Sequence, residues 1–361
     1  LAGASDYTHT ISVDGGYRSM SFTVAASQSE INDWINSGLA RHIIVLDDSG
    51  SQIWEGFVNE ISVDVGATTL TLGPLIDMAN RIYVMYTRKS WTIYGVTIGG
   101  GEAITAAAND TDSQGKYGIM EEYVSGGTGS STEMEALRDV HLLDRSSPHI
   151  VQATVSTGGG SDRTMTISCV GYYEIFNKYI YASTSTGESA ISDKIQDVVN
   201  ADPSTRFSSD YSLVATNSLS VPDLEAERKT ASTVLSELVS YGDASGNRYT
   251  LGVYNDRKLK YSQIESSPYY TFNVTENPGG IYNIDGARIE PWNVVPGKWL
   301  VLTSISADLG DLSSIDALRS NPNALYIEEV TFSAPYSVSL TSGPTSTFKQ
   351  RIARLGLELA Q

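Results

Sequence analysis

Leu70-Thr71-Leu72-Gly73-Pro74 closes one β-rich stretch of this chain, and Leu340-Thr341-Ser342-Gly343-Pro344 closes another near its end. The correspondence extends outward from both copies. Ahead of the first stand Gly38, an apolar run (Ile43, Ile44, Val45, Leu46), a polar turn at 47–51 and a second run through Ile53, Trp54, Phe57, Val58 and Ile61. Ahead of the second stand Gly297, a run through Trp299, Leu300, Val301, Leu302 and Ile305, an insertion at 306–323, and a run through Leu325, Tyr326, Ile327, Val330 and Phe332. A matched order over that span points to a duplicated structural unit rather than a duplicated active site. The copies are expected to be unequal, because the second carries the insertion and a basic end.

At 361 residues the chain is long enough for two or three domains with separate cores. Abundant Gly, Ser and Thr, with β-branched residues throughout, favour a β-rich fold with many turns. No run approaches the roughly 18–20 apolar residues of a membrane span, and the opening residues lack the basic and apolar regions of a signal peptide. The single cysteine, Cys169, lies in the apolar run 165–170; an intrachain disulfide is excluded, and a buried structural thiol is expected.

The net charge of −18 argues against wrapping nucleic acid, whose affinity comes from Lys and Arg. It leaves room for DNA as cargo in a negatively charged channel, and solubility is the simplest account of it. The C-terminal segment departs from the balance, with Lys349, Arg351 and Arg354 followed by one acid, Glu358. It reads either as a solvated strand face or as a surface that pairs with acid on a neighbouring subunit.

Four helices interrupt the β pattern. Ser27 and Glu30 have capping-box spacing ahead of Ile31, Trp34, Ile35 and Leu39. Thr132 and Glu135 repeat the device ahead of Leu137, Val140 and Leu143, whose spacing predicts a buried stripe ending before Pro148. Ile191, Ile195, Val198 and Val199 form a third stripe, stopped at Pro203; Ala231, Val234, Leu235, Leu238 and Val239 form a fourth, stopped near Gly242. Strands are predicted at 11–13, 20–24, 83–86, 150–155 and 164–170, with a hairpin at 249–254 and 258–261 turning at 255–257. The glycine-rich stretches 99–101, 126–129 and 158–160 read as loops.

Several ordered motifs resemble one known family. The run from Trp34-Ile-Asn-Ser-Gly-Leu39 through Ile53-Trp-Glu-Gly-Phe-Val58, then Gly73-Pro74 and Asn80-Arg81-Ile-Tyr-Val84, is similar to the start of the tail hub proteins of tailed bacteriophages. So are Asp110-Thr-Asp-Ser-Gln-Gly-Lys-Tyr-Gly118 with Glu121, the helix ending Leu137-Arg138-Asp139, and Cys169-Val-Gly171-Tyr172. Gly252-Val-Tyr-Asn-Asp256-Arg257-Lys-Leu-Lys-Tyr261 and Ile289-Glu-Pro291-Trp-Asn-Val-Val295-Pro296-Gly297 complete the series, which covers nearly the whole chain.

The resemblance implies a β-rich α+β fold with two related split β-barrels and an inserted α/β middle region, like the baseplate hub. It implies a homotrimer whose six barrels make a pseudo-hexameric ring between the six-fold tail tube or distal tail ring and a three-fold tip. On that basis the expected divisions are a first barrel at 1–90, an extended connecting region at 91–170, an α/β middle domain at 171–284 and a second barrel at 285–361. The implied role is a structural virion component, not an enzyme, at the tail tip of a long, non-contractile tail. Its implied partners are further copies of itself, the tail tube or distal tail protein, a tip fibre or spike and the tape measure protein. No cofactor is expected.

Among residues that carry chemistry, Asp110-x-Asp112-x-Gln114-Gly115-x5-Glu121 fits the twelve-residue calcium loop except for Gln at the fifth position. The segments around it are weak as entering and exiting helices, and a hydrogen-bonded loop is the preferred reading. The four histidines, His9, His42, His141 and His149, show no zinc spacing. There is no Gly-x-Ser-x-Gly elbow, and Gly126-Gly-Thr-Gly-Ser-Ser lacks a phosphate-loop lysine. Asp193 and Asp197 lie one helical turn apart and read as a solvated acidic face.

Tyrosines are numerous, and Tyr172-Tyr173, Tyr179, Tyr181 and Tyr269-Tyr270 fit either a Tyr-rich core or a protein interface. Ring contacts are expected from Asp47 and Asp48 in the first turn, paired with Lys349, Arg351 and Arg354. Two other roles fit less of the sequence: a hexameric tail-ring component such as the distal tail protein, and a glycan-binding or carbohydrate-active β-protein.

Overall fold

A computed structural model describes residues 4–66, 68–155, 163–182, 187–222, 229–275, 279–304, 314–335 and 337–342. Its centre is a long twisted sheet built on the strand Gly15–Ala25. That strand alternates inward Tyr17, Met20 and Phe22 with outward polar residues, the period-2 pattern of a half-buried strand. On one side it pairs antiparallel with Ala4–Ser12, on the other with Arg163–Val170.

The repeat takes the same backbone form twice. His42–Leu46, Gln52–Val65 and Thr68–Leu72 make an antiparallel meander, and so do Trp299–Thr303, Ala324–Ser333 and Ser337–Ser342. Leu70 lies opposite Val63 in the first, and Leu340 opposite Val330 in the second. The three central strands join them, since Arg163–Val170 pairs with Gln52–Val65, and Ala4–Ser12 pairs with Ala324–Ser333. The chain is thus β-rich α+β, with a 15-stranded mixed sheet among the described residues. Gly343, Pro344, Ile305 and residues 306–313 of the insertion lie outside them.

Hydrogen bonding crosses each expected division. Ile150–Val155 extends the first meander beyond Thr68–Leu72, and Pro268–Asn273 runs parallel to Trp299–Thr303. The hairpin Tyr249–Tyr254 with Lys258–Gln263 meets Gly15–Ala25 where Gly252 and Gly16 touch. A Cβ on Gly16 would sit 2.3 Å from the Val253 carbonyl oxygen, so two backbones meet where no side chain fits.

The helices fill the remaining faces. Gln28–Ser37 starts in the predicted capping box, with Ser27 and Glu30 exchanging bonds, and drives Ile31 into the core beneath Trp54, Val58 and Ile61. Ile191–Asn200 and Ala231–Tyr241 pack together over Tyr179, Tyr181 and Tyr261. The helix Ser131–Arg145 differs from the sequence expectation in two respects. Its capping box is Ser130 with Glu133, one pair earlier than Thr132 and Glu135, because that start turns Met134 into the small core with Val84 and Tyr86. Val140 and Leu143 are exposed, the latter by 83%, so the predicted stripe is only partly buried.

Gly126 and Gly129 lie within the strand Glu121–Gly129 rather than in a loop. A Cβ on Gly126 would strike Met134 Sδ at 2.4 Å, so glycine there admits the helix onto the strand. Of the tyrosines open to two readings, Tyr172, Tyr179, Tyr181 and Tyr270 are buried, and Tyr269 is exposed. Two of these buried hydroxyls have backbone partners: Tyr179 donates to the Val198 carbonyl, and Tyr270 accepts from the Val295 amide. For these four the core reading holds.

Candidate assembly interfaces

The turn at 47–51 is built by one carboxylate. Asp47 Oδ1 accepts from the Ser49 amide (2.9 Å), the Ser49 hydroxyl (2.6 Å) and the Ser51 amide (2.8 Å). The Ser49 hydroxyl, then the Ser51 amide, hold its pKa below the usual carboxylate value. Asp48 is exposed. Just before it, His42–Leu46 pairs on one side with Gln52–Val65 and leaves Ile44 and Leu46 exposed on its outer face. An edge strand with an apolar face is a surface that invites a partner. Lys349, Arg351 and Arg354, its expected counterparts, lie outside the described residues.

A second surface is the ribbon Ser90–Ile93 with Val96–Gly99. It turns at Tyr94-Gly95, both with positive φ (50° and 77°), the geometry of a two-residue hairpin turn. Trp91 lies opposite Ile98, and Ile93 opposite Val96. All four therefore share one face. Trp91 is 56% exposed and Tyr94 fully so. A lone two-stranded ribbon is marginal in water, and an apolar face on one marks a contact surface. The alternation of residues 91–98 around Tyr94-Gly95 is the sequence signal for it. Lys89, at its base, reaches Glu133 at the start of the helix Ser131–Arg145 (2.8 Å).

The calcium-loop residues are engaged one by one. Asp110 caps the helix Thr111–Tyr117 by accepting from the Ser113 amide (3.0 Å), the main reason its pKa is lowered. Gln114 Nε2 donates to the Asn80 carbonyl (2.9 Å) and to Asn109 Oδ1 (3.0 Å). Glu121 pairs with Arg81 (3.0 Å) and accepts from the Ile180 amide (2.8 Å). Asp112 is exposed in the first turn of that helix. Among the described residues no group of three His, Cys, Asp or Glu converges as a metal site.

Other polar residues are structural. His9 is buried, with Nδ1 2.8 Å from the Tyr7 hydroxyl and its ring against Phe332; burial holds its imidazole down at about 4. Cys169 is buried, and desolvation pushes its thiol up to about 12. His149 contacts the Asp144 carbonyl, and Asp197 accepts from the Tyr181 hydroxyl, while Asp193 is exposed. Glu55, buried and not evident in the sequence, lies 2.8 Å from His42 Nε2 and accepts from Gln52 Nε2 (2.9 Å) and the Arg257 amide (3.1 Å). It ties the first meander to the turn of the 249–263 hairpin.

No known protein family matches the chain, and a search of curated proteins finds no match. Among solved structures, the crystal structure of the 43 kDa tail protein of prophage MuSo2 from Shewanella oneidensis aligns with it. The alignment covers 94% of this chain and 92% of that one, at 9% identity and a TM-score of 0.34. A superposition that loose carries no information about role. No helix among the described residues is long and apolar enough to cross a membrane.

Proposed function

We propose that this chain is a structural tail hub protein of a tailed bacteriophage. It would act as a trimer whose two β units alternate around a ring joining the six-fold tail tube or distal tail ring to a three-fold tip. The observation that carries the reading is the matched pair of meanders. Each chain supplies two similar three-stranded units, so three chains supply six, which is what a three-fold to six-fold adaptor needs. The exposed faces at Ile44, Leu46 and the Trp91 ribbon are where ring neighbours or tail partners would seat. DNA would pass through as cargo, in keeping with the acidic balance.

Light scattering on the purified protein tests this directly. A mass three times the 38.9 kDa chain supports the hub, whereas six copies point to a distal tail ring and overturn it. Within the ring, the turn at Asp47 and Asp48 is proposed to meet Lys349, Arg351 and Arg354 of a neighbour. Reversing the charge of both arginines should weaken ring assembly, and unchanged assembly would remove that pairing while leaving the hub reading to the mass measurement.

A further inference from the structure

Three segments far apart in the chain meet around one tyrosine ring. His42 comes from the edge strand His42–Leu46, Tyr172 from the 3-10 turn Tyr172–Asn177, and Arg257 from the turn of the 249–263 hairpin. The His42 ring meets the edge of Tyr172 with 5.7 Å between centroids, and the Arg257 guanidinium carbon lies over the same ring, 5.7 Å from its centroid. Glu55 fixes both from behind. It is 2% exposed, with Oε1 2.8 Å from His42 Nε2 and Oε2 accepting from the Arg257 amide at 3.1 Å.

Arg257 is held at a φ of +56°, after Asp256 at +61°, a backbone region that a long side chain rarely adopts. Glu55 grips its amide, and the Ser208 amide donates to its carbonyl (3.1 Å). The guanidinium so placed has no carboxylate partner among the described residues. Other cations of this region are spent: Arg206 pairs with Asp202 (2.6 Å) and Lys258 with Asp210 (2.9 Å). The His42 side chain is 40% exposed, and with Nε2 on Glu55 its Nδ1 is left for a further partner.

We propose that Arg257 and His42, set against the Tyr172 ring, bind one small phosphate-type oxyanion. The guanidinium fork takes two oxygens side by side. His42 Nδ1 meets a third, donating to it when the ring is protonated and accepting from a protonated phosphate oxygen when the ring is neutral. A carboxylate has only two oxygens and would leave His42 unused. A chain of net charge −18 repels an extended polyanion or an anionic membrane, so the ligand is a small solute, held weakly. The site goes beyond the hub reading and does not rest on it, because all its residues lie on one chain.

Calorimetric titration of the full-length protein with inorganic phosphate, against chloride of equal ionic strength, tests the site. One phosphate should bind per chain in the millimolar range, with acetate about fivefold weaker for want of the third oxygen. Arg257→Gln should weaken phosphate binding by about tenfold, and His42→Gln by about threefold. Arg41→Gln removes the neighbouring cation, which pairs with Asp33 (2.8 Å), and should leave the affinity unchanged. Arg257→Lys keeps the charge and loses the fork; it should weaken binding by about fivefold and serves where the glutamine variant does not fold. No saturable phosphate binding by the unaltered protein overturns the proposal without recourse to any variant. Equal losses in Arg41→Gln and Arg257→Gln would reveal diffuse charge in place of a site and overturn it too, as would acetate binding as tightly as phosphate.

Discussion

In the first β unit the long strand Gln52–Val65 runs between Arg163–Val170 and Thr68–Leu72, and a capped helix lies over it; Trp54, Val58 and Ile61 are sealed from water. In the second unit the corresponding strand Ala324–Ser333 likewise runs antiparallel between Ala4–Ser12 and Ser337–Ser342, yet Leu302, Val338 and Leu340 stay half exposed along a groove. The duplication therefore keeps strand pairing and lets the covering differ. Strand pairing is a backbone property that tolerates side-chain change, whereas a cover requires side-chain complementarity and is free to diverge.

The comparison can be broken most sharply at Trp54. Trp54→Ala empties a sealed site and should cost about 3–5 kcal/mol in urea unfolding, well above Leu302→Ala at the open groove. Equal losses would mean that the second unit is as fully covered as the first. The seam between the units is next, through His9, which packs on Phe332. Its folded-state pKa of about 4 lies below the unfolded value, so the unfolded chain takes up the proton first. Its contribution is fully present above about pH 6.5 and is lost as pH falls toward 4, by up to about 3 kcal/mol. His9→Phe should remove that part of the pH dependence, and a stability difference between the two proteins that is the same at pH 7 and pH 4.5 would refute the assignment.

Smaller effects sharpen the contrast. Glu55→Ala leaves the Arg257 amide without its carboxylate and should cost about 1–3 kcal/mol, with faster amide exchange in the 255–257 turn. Exchange confined to 42–52 would show that Glu55 serves only the first meander. Ser27→Ala removes the cap of the covering helix and should cost about 1 kcal/mol, seen as a lowered urea midpoint with an unchanged slope.

The helix stripes at 191–199 and 231–239 and the hairpin at 249–261 were legible because period and turn chemistry are local. The start of the helix Ser131–Arg145 was not, since Ser130/Glu133 and Thr132/Glu135 have equal spacing and only Met134 packing on Val84 chooses between them. The calcium-like loop shows the same limit. Its residues are spaced for a cation, but Glu121 pairs with Arg81 and accepts from the Ile180 amide, and Gln114 Nε2 donates to the Asn80 carbonyl, all partners that the loop's own sequence does not reveal. Glu55 gave no signal at all, because its partner at Arg257 is brought near only by the docking of Gly252 on Gly16.

The repeated Leu-Thr-x-Gly-Pro and the order of runs before it were enough to fix two β units of matching strand order, because alternation and turn residues act over a few neighbours. Which strands lie between those units, which tyrosines are core and which apolar faces stay open were settled by the tertiary structure. Those outcomes depend on pairings such as Ala4–Ser12 with Ala324–Ser333, whose partners are more than 300 residues apart in the chain, beyond the reach of any local pattern.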